Sequence, residues 1–219
     1  MIYLNNYGWN DKLSQLKQES TYNALTHGRI SIVHRTCYEV VSENGLFQCE
    51  LTGNMMYGKS DIELPCTGDW VLFQPFDEHK GIIVDMLPRE RTLYRKKNGT
   101  VADKQAIASY VDKAFIVQSL DDNFNVRRAE RFMVQMQEEN INPVLVFNKA
   151  DLGFDEQKVE EQIRHIARQI PVFFTSIHQP QTILQLRESI SAGETVVFVG
   201  SSGVGKSSLV NELCEKLGL

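Results

Sequence analysis

Eight consecutive residues carry the clearest chemical signal in the sequence. They read Gly200-Ser201-Ser202-Gly203-Val204-Gly205-Lys206-Ser207 and match the pattern G-x-x-x-x-G-K-[ST]. Glycines let the backbone curl so that successive N–H groups point at one phosphate, and a following helix N-terminus adds partial positive charge. In such a loop the lysine, here Lys206, contacts the β and γ phosphates, and the hydroxyl of Ser207 binds Mg²⁺. The sequence therefore predicts a site for nucleotide phosphates.

A second polar motif, Asn148-Lys149-Ala150-Asp151, directly follows the apolar run 143–147 and reads N-K-x-D. An ionised aspartate presents two acceptor oxygens and no donor. Guanine presents two adjacent donors, N1–H and N2–H₂, whereas adenine would leave the carboxylate unpaired. Asp151 is therefore predicted to bind guanine, with the stem of Lys149 along the base and Asn148 tying the loop to its neighbours.

A third and weaker segment, Thr175-Ser176-Ile177, follows the apolar run 171–174. GTPases usually carry Ser-Ala at this place, where a backbone N–H meets guanine O6. Ile177 replaces the usual small residue, but a contact made by the backbone can survive that change. An ordinary strand-end turn is the alternative interpretation.

The three motifs together define a set of candidate nucleotide-binding residues. They are Asn148, Lys149, Asp151, Ser176, Ile177, Gly200, Ser201, Ser202, Gly203, Val204, Gly205, Lys206, Ser207 and Ser208. Lys206 and Ser207 are also the candidate catalytic residues, and Ser207 is the candidate Mg²⁺ ligand.

The elements around these motifs alternate between strands and helices. Four short apolar runs are typical of strands buried on both faces, and they span residues 111–118, 143–147, 171–174 and 195–199. Apolar residues recur at helical spacing over 127–138 and 155–170, and a further helix is predicted over 208–216. This alternation predicts an α/β domain with a parallel sheet.

The first 87 residues follow another pattern. After a short predicted helix over 9–20, capped by Asn10 or Asp11, come five short runs rich in β-branched and aromatic residues. They span 29–34, 37–42, 46–51, 69–74 and 81–85. Five short strands predict a small β-barrel of the OB-fold or SH3-like type. The polar link 53–68 is long enough to form a mobile loop.

Composition narrows the class of protein. The chain has 42% hydrophobic and 23% charged residues, which is an ordinary globular composition. It has no apolar stretch of roughly 18 residues and no signal-peptide pattern, so we expect a cytoplasmic protein without membrane contact. The four cysteines form no C-x-x-C pair and are expected to be reduced, packed thiols.

Charge is distributed unevenly along the chain. The net charge of −5 argues against a protein that coats nucleic acid without specificity. Residues 1–87 carry this whole charge, whereas residues 88–219 are neutral. Five basic residues crowd the start of the second part: Arg89, Arg91, Arg95, Lys96 and Lys97.

The order of the motifs is reversed relative to an ordinary GTPase, in which the phosphate loop comes first. A parallel sheet can be cut at a loop and rejoined at nearby termini with the same site, so a circular permutation is predicted. With a barrel before it, this order resembles the ribosome small-subunit-dependent GTPase A family, RsgA, also called the YjeQ or YloQ type. The resemblance also rests on segments 4–10, 68–71, 91–97, 105–108 and 128–132.

The resemblance implies a barrel domain over 1–87 and a permuted GTPase domain over 88–219. It also implies GTP and GDP with Mg²⁺ as ligands, assistance in late maturation of the 30S subunit, binding near 16S rRNA, and slow GTP hydrolysis stimulated by the subunit. The family continues past the phosphate loop into two switch segments and a Cys/His zinc module. This chain stops at Leu219, and Cys214 alone cannot form a zinc site. We therefore expect a truncated chain that binds nucleotide but hydrolyses GTP poorly, with Zn²⁺ confined to the missing part.

Two other function classes stay open on the residues alone. One is a P-loop ATPase or small-molecule kinase with a chance N-K-x-D motif. The other is a nucleic-acid-binding module, because OB barrels bind single strands through aromatic and basic side chains. The barrel has the aromatic residues Tyr38, Phe47, Trp70 and Phe73, and strand alternation assigns most of them to the core. We expect a monomer that docks on a shaped ribosomal surface with help from residues 89–97, and not on naked RNA.

Overall fold

The computed structural model describes residues 1–57, 59–96, 104–121, 124–154, 156–168 and 170–215. By compactness the chain forms two units. The first comprises Met1–Val111 with Ala192–Thr195, and the second comprises Asp112–Ser191 with Val196–Leu219. The sequence-based domain boundary falls after residue 87, whereas the described residues between 88 and 111 belong to the same compact unit as the barrel.

The first unit is built on a closed five-stranded barrel. Its strands are β1 (Thr26–Val33), β2 (Tyr38–Ser42), β3 (Gly45–Leu51), β4 (Trp70–Asp77) and β5 (Lys80–Met86). They close in the order β1-β2-β3-β5-β4, with β3 parallel to β5 and the other pairs antiparallel. This crossed order is the Greek-key arrangement of the OB-fold, which decides between the two barrel types left open by the sequence.

Two helices accompany the barrel. Helix α1 (Asp11–Glu19) starts at Asn10, whose side-chain oxygen accepts from the backbone N–H of Leu13. Helix α2 (Gly53–Met56) lies in the segment predicted as a loop, and Met55 there is buried in the barrel core. The expected loop is therefore partly helical, because Met55 gains apolar burial at that place.

The barrel aromatics are mostly core, as strand alternation predicts. Phe47, Trp70 and Phe73 are buried, and Tyr38 is partly buried against the same core. The phenyl rings of Phe47 and Phe73 lie 5.2 Å apart between centroids. These rings are therefore unavailable for stacking on nucleic acid bases.

One of the five basic residues at the junction has an internal role. The guanidinium of Arg89 pairs with the fully buried carboxylate of Asp69 at 2.6 Å between Nη2 and Oδ2, and also donates to the carbonyls of Ile62 and Leu64. Burial opposes the charge of Arg89, but the hydrogen bonds and attraction of Asp69 raise the pKa of Arg89 above its usual value. The charge of Arg89 is therefore paired inside the unit, and help in docking from residues 89–97 stays a prediction that rests on the other basic residues.

Two further strands follow the barrel within the same unit. Strands β6 (Leu93–Lys96) and β7 (Lys104–Ala108) pair antiparallel. The sequence pattern does not predict them, since these runs mix charged and apolar residues without clear alternation. Arg95 is exposed on β6, while the predicted junction residue Lys97 lies outside the described residues.

The second unit is a parallel sheet flanked by helices. Its strands are β8 (Lys113–Ser119), β9 (Asn142–Asn148), β10 (Val172–Thr175) and β11 (Val196–Val199), in the order β10-β9-β8-β11. Its helices are α3 (Val126–Glu138), α4 (Glu156–Ala167), α5 (Pro180–Glu188) and α6 (Lys206–Glu215). The prediction of an α/β domain with a parallel sheet is confirmed.

The helices pack on the sheet through the apolar stripes read from the sequence. Ala129, Met133 and Met136 of α3 are buried, and Val159, Ile163 and Ile166 are buried on α4. The sequence pattern does not predict helix α5, although Pro180 stands in its first turn, where a missing N–H costs nothing. No helix among the described residues is long and apolar enough to cross a membrane.

Candidate functional site

The three motifs lie at the carboxyl ends of three strands of one parallel sheet. Gly200 follows β11, Asn148 is the last residue of β9, and Ser176 follows β10. Because all these strands run in one direction, their carboxyl ends share one edge of the sheet. Ligands of open α/β sheets bind at that edge.

The loop 200–207 has a backbone that only glycine accommodates easily. Gly200 has φ +147°, and a Cβ atom there would lie 2.3 Å from the carbonyl oxygen of Val117 on β8. Gly205 has φ +91°, and its Cβ would meet the side-chain nitrogen of Asn148 at 2.2 Å. These two glycines therefore let the loop approach both neighbouring strands closely.

Lys206 is the first residue of α6 and turns back over its own loop. Its Nζ donates to the carbonyl oxygens of Gly200 at 3.0 Å and Ser201 at 2.6 Å. The next two residues, Ser207 and Ser208, are exposed in the first turn of α6. An ammonium group held at a helix N-terminus, with exposed hydroxyls beside it, is suited to bind an anion.

Asn148 connects all three motifs through one side chain. Its Nδ2 donates to the carbonyl oxygen of Val204 in the phosphate loop at 2.9 Å. Its Oδ1 accepts from the hydroxyl of Thr175, directly before Ser176, at 3.3 Å. The side chain is buried, so these bonds fix the relative position of the three turns.

Lys149 is held by a carboxylate that no sequence motif singles out. Its backbone has φ +64°, which directs the side chain out of the strand. Its Nζ lies 2.9 Å from Oδ2 of Asp121, and the other oxygen of Asp121 accepts from Ser119 at 2.6 Å. Asp121 follows β8, and only its position after a predicted strand could have drawn attention to it.

Asp151 is exposed beside the turn that follows β10. A hydrogen bond from the Ser176 side chain is the main cause that lowers the pKa of Asp151, and His178 adds a smaller electrostatic effect in the same direction. Ser176 itself is buried. The carboxylate of Asp151 is therefore held in its ionised, acceptor-only form.

The turn after β10 leaves one backbone donor available. The N–H of Ser176 donates to the hydroxyl of Thr182, and the N–H of His178 donates to Ser176 Oγ. The N–H of Ile177 has no hydrogen-bond partner among the described residues. The identity of the side chain at Ile177 does not change this, since the donor belongs to the backbone.

A second cation contacts the phosphate loop, and the sequence motifs do not include it. Arg128, in the first turn of α3, donates from Nη1 to the Ser201 hydroxyl at 2.5 Å. Asn125 caps this helix by accepting from the backbone N–H of Arg128. In the sequence, Arg128 stands out only as a member of the segment 128–132 that carries part of the family resemblance.

The described part of the chain offers few metal ligands. It contains no group of three or more His, Cys, Asp or Glu side chains placed to hold a metal ion. All four cysteines are free thiols, and burial raises the pKa of Cys49 and of Cys66 to about 12. Ser207 offers a hydroxyl oxygen, a ligand type that Mg²⁺ accepts when phosphates and water complete its shell.

The known proteins that this chain resembles belong to the family that the motif order indicates. The family model described as RsgA GTPase matches residues 86–219. The small ribosomal subunit biogenesis GTPase RsgA 1 of Bacteroides thetaiotaomicron is 74% identical over 210 residues, covering 96% of this chain and 59% of that protein. The small ribosomal subunit biogenesis GTPase RsgA of Opitutus terrae is 31% identical over 223 residues, covering 97% of this chain and 61% of that protein. The chain thus spans about three fifths of the length of these relatives.

Solved structures share the fold. YjeQ from Thermotoga maritima superposes with a TM-score of 0.68 at 26% identity, covering 86% of this chain and 64% of that chain. YloQ, described as a circularly permuted GTPase, gives a TM-score of 0.63 at 25% identity, covering 88% of this chain and 66% of that one. With its N-K-x-D motif ahead of its G-x-x-x-x-G-K-S loop, the chain belongs to the RsgA family of circularly permuted GTPases.

Proposed function

We propose that this protein binds guanine nucleotides, hydrolyses GTP, and acts in biogenesis of the small ribosomal subunit. The observation that carries the nucleotide part is the Asn148 side chain, which joins the phosphate loop, the base-reading motif and the turn after β10. Three recognition elements tied to one buried amide act as a single preorganised site. The ribosomal part is supported by the names of the relatives. The proteins of Bacteroides thetaiotaomicron and Opitutus terrae are both called small ribosomal subunit biogenesis GTPases.

In this proposal the base is read by three groups. The Asp151 carboxylate accepts from guanine N1–H and N2–H₂, and the Ile177 N–H donates to O6. The Lys149 stem lies along the base while Asp121 holds its ammonium group, which is 2.9 Å away. An adenine ring would place an acceptor and a bare C–H against Asp151, which leaves a charged acceptor unpaired.

The phosphates are bound by the loop 200–207 and α6. Backbone N–H groups surround the α and β phosphates, and Lys206 exchanges its two loop carbonyls for β- and γ-phosphate oxygens. Mg²⁺, when bound, neutralises the charge that develops on those oxygens. On the protein side, Ser207 is the residue that would hold the ion.

For the 219-residue chain itself, we propose binding with slow hydrolysis. Hydrolysis also needs groups that hold Mg²⁺ from the γ-phosphate side and orient the attacking water. Among the described residues at the site, Ser207 is the one hydroxyl assigned to the ion. We expect phosphate release under single-turnover conditions to stay slow with and without 30S subunits. Robust stimulated turnover by residues 1–219 would contradict this part of the proposal.

The proposed partner is the 30S subunit, contacted near 16S rRNA. The barrel segment 1–87 has a net charge of −5, which opposes tight binding to free RNA. Exposed basic residues after the barrel, such as Arg95, can still contact rRNA phosphates. Binding should therefore weaken as salt rises. Co-sedimentation with 30S particles at increasing salt checks this, and a complete failure to co-sediment at low salt would contradict it.

A titration with fluorescent GDP, GTP and ATP tests the nucleotide part. We expect both guanine nucleotides to bind and ATP to bind at least about tenfold more weakly, because Asp151 loses charge-assisted hydrogen bonds with adenine. Equal binding of ATP and GDP would overturn the guanine assignment and favour a P-loop ATPase or small-molecule kinase.

A further inference from the structure

Arg128 places a second positive charge on the phosphate loop. Its guanidinium donates to the hydroxyl of Ser201 at 2.5 Å, while Lys206 donates to the carbonyl of the same residue at 2.6 Å. Two cations thus meet one loop residue, one from inside the loop and one from α3. The loop motif itself contains one positively charged side chain, that of Lys206.

The charge of Arg128 has no carboxylate partner among the described residues. Its side chain bonds to the neutral hydroxyl of Ser201 and is half-buried. Two carboxylates of the same unit pair with other cations: Asp121 with Lys149, and Glu130 with His165. A partly desolvated cation without a counter-charge is costly, and a bound anion would remove that cost.

The helix that carries Arg128 holds it firmly in place. Asn125 caps α3, and Ala129 and Met133 of the same helix are buried in the core of the unit. The side chain therefore starts from a fixed backbone position beside the loop. Its planar fork of donors is suited to phosphate oxygens, which it can bind in pairs.

We propose that Arg128 is a second phosphate-binding cation, selective for the γ-phosphate of the nucleoside triphosphate. The α and β phosphates are enclosed by the backbone of a loop of this type, so the γ-phosphate projects toward side chains from other elements. Arg128 leaves Ser201 and donates to a γ-phosphate oxygen when the triphosphate binds. An arginine supplied by the same chain can serve phosphoryl transfer in this way. The inference rests on the proposed guanine-nucleotide function.

The test compares Arg128→Ala with Arg127→Ala, its exposed neighbour on the same helix. We expect Arg128→Ala to weaken a non-hydrolysable GTP analogue by about tenfold and GDP by less than about threefold, the loss of one charge-assisted contact. Arg127→Ala should change neither affinity. Arg128→Lys should recover part of the preference for the triphosphate, and circular dichroism should show an unchanged fold.

A merely structural role for Arg128 predicts different results. If Arg128 only shapes the loop through Ser201, then Arg128→Ala will weaken GDP and the analogue equally, and Ser201→Ala will weaken both nucleotides by the same factor as Arg128→Ala. Either result overturns the inference, as does an Arg128→Ala variant with unchanged affinities. Failure of the parent chain to prefer GDP over ATP would instead contradict the proposed function, so the two outcomes are distinguishable.

Discussion

The two units use charged residues in opposite ways. In the barrel unit, Asp69 is fully buried, and Arg89 meets it with three hydrogen bonds while also satisfying two backbone carbonyls. In the parallel-sheet unit, Asp151 is exposed, and among the residues that the structure describes Lys206 donates to carbonyls of its own loop alone. A charge with all its partners inside the protein supports the fold, whereas a charge held by weaker, exchangeable partners at a strand end can serve a ligand.

Arg29 is a second basic residue of the barrel unit whose partners lie inside the protein. It is buried, donates to the carbonyls of Tyr7 and Gly68 and to the hydroxyl of Thr195, and lies over the Trp70 ring at 5.6 Å. Such a side chain contributes by packing and hydrogen bonding within the unit. A count of basic residues from the sequence therefore overstates the positive charge that the barrel unit presents at its surface.

The largest effect is expected from breaking the buried pair in the barrel. Asp69→Ala leaves the half-buried Arg89 without its counter-charge and should lower the free energy of unfolding by about 3–5 kcal/mol. Urea denaturation measures this, with Asp77→Ala at the exposed end of β4 as the control. A loss no larger than that of the control would show that the barrel charge is not structural.

Next in size is the loss of the ammonium group in the phosphate loop. Lys206→Ala should weaken GTP binding by about 10- to 100-fold, the loss of one or two charge-assisted hydrogen bonds, and leave the unfolding midpoint nearly unchanged. Fluorescent-nucleotide titration and urea denaturation together check both parts. Arg164→Ala on the exposed face of α4 is the control. A variant that keeps the parent affinity would mean that loop 200–207 is not the phosphate site.

The smallest effect concerns the pKa of Asp151. The Ser176 side chain lowers the pKa of Asp151 below the ordinary value of an aspartate. The folded protein therefore favours the ionised carboxylate, and this stabilisation is present above the unfolded pKa and is lost as the pH falls through the folded pKa. Guanine affinity should therefore be constant from about pH 8 to pH 5. In Ser176→Ala the pKa of Asp151 should rise toward 3.8, which NMR titration of the carboxyl carbon would detect. An unchanged pKa would show that Ser176 does not act on Asp151.

The strand-end motifs are predictable because their chemistry is local in sequence. The glycines and Lys206 lie within eight residues, and Asn148 and Asp151 within four, each set directly after an apolar run. Since parallel strands end at one edge, the amino-acid sequence alone is enough to place these motifs at one site.

Other features depend on contacts far apart in the chain and cannot be read in this way. Arg128 meets Ser201 across 73 positions, and Arg89 meets Asp69 across 20. Nothing local distinguishes the basic side chain that contacts the loop from the one that pairs with Asp69. Both arginines are half-buried, and they differ in their partner, which is a hydroxyl for Arg128 and a buried carboxylate for Arg89. Strands β6 and β7 escape prediction for the related reason that their runs lack a clear alternation.

The exchange Asp151→Asn is the sharpest test of guanine recognition by this permuted site. An amide at this position loses one acceptor but can donate to the C2 oxygen of xanthine. We predict that the variant binds GDP about 10- to 100-fold more weakly than the parent and binds XDP more tightly than the parent does. Unchanged GDP affinity with no gain for XDP, in a variant that keeps its fold by circular dichroism, would contradict guanine recognition by Asp151.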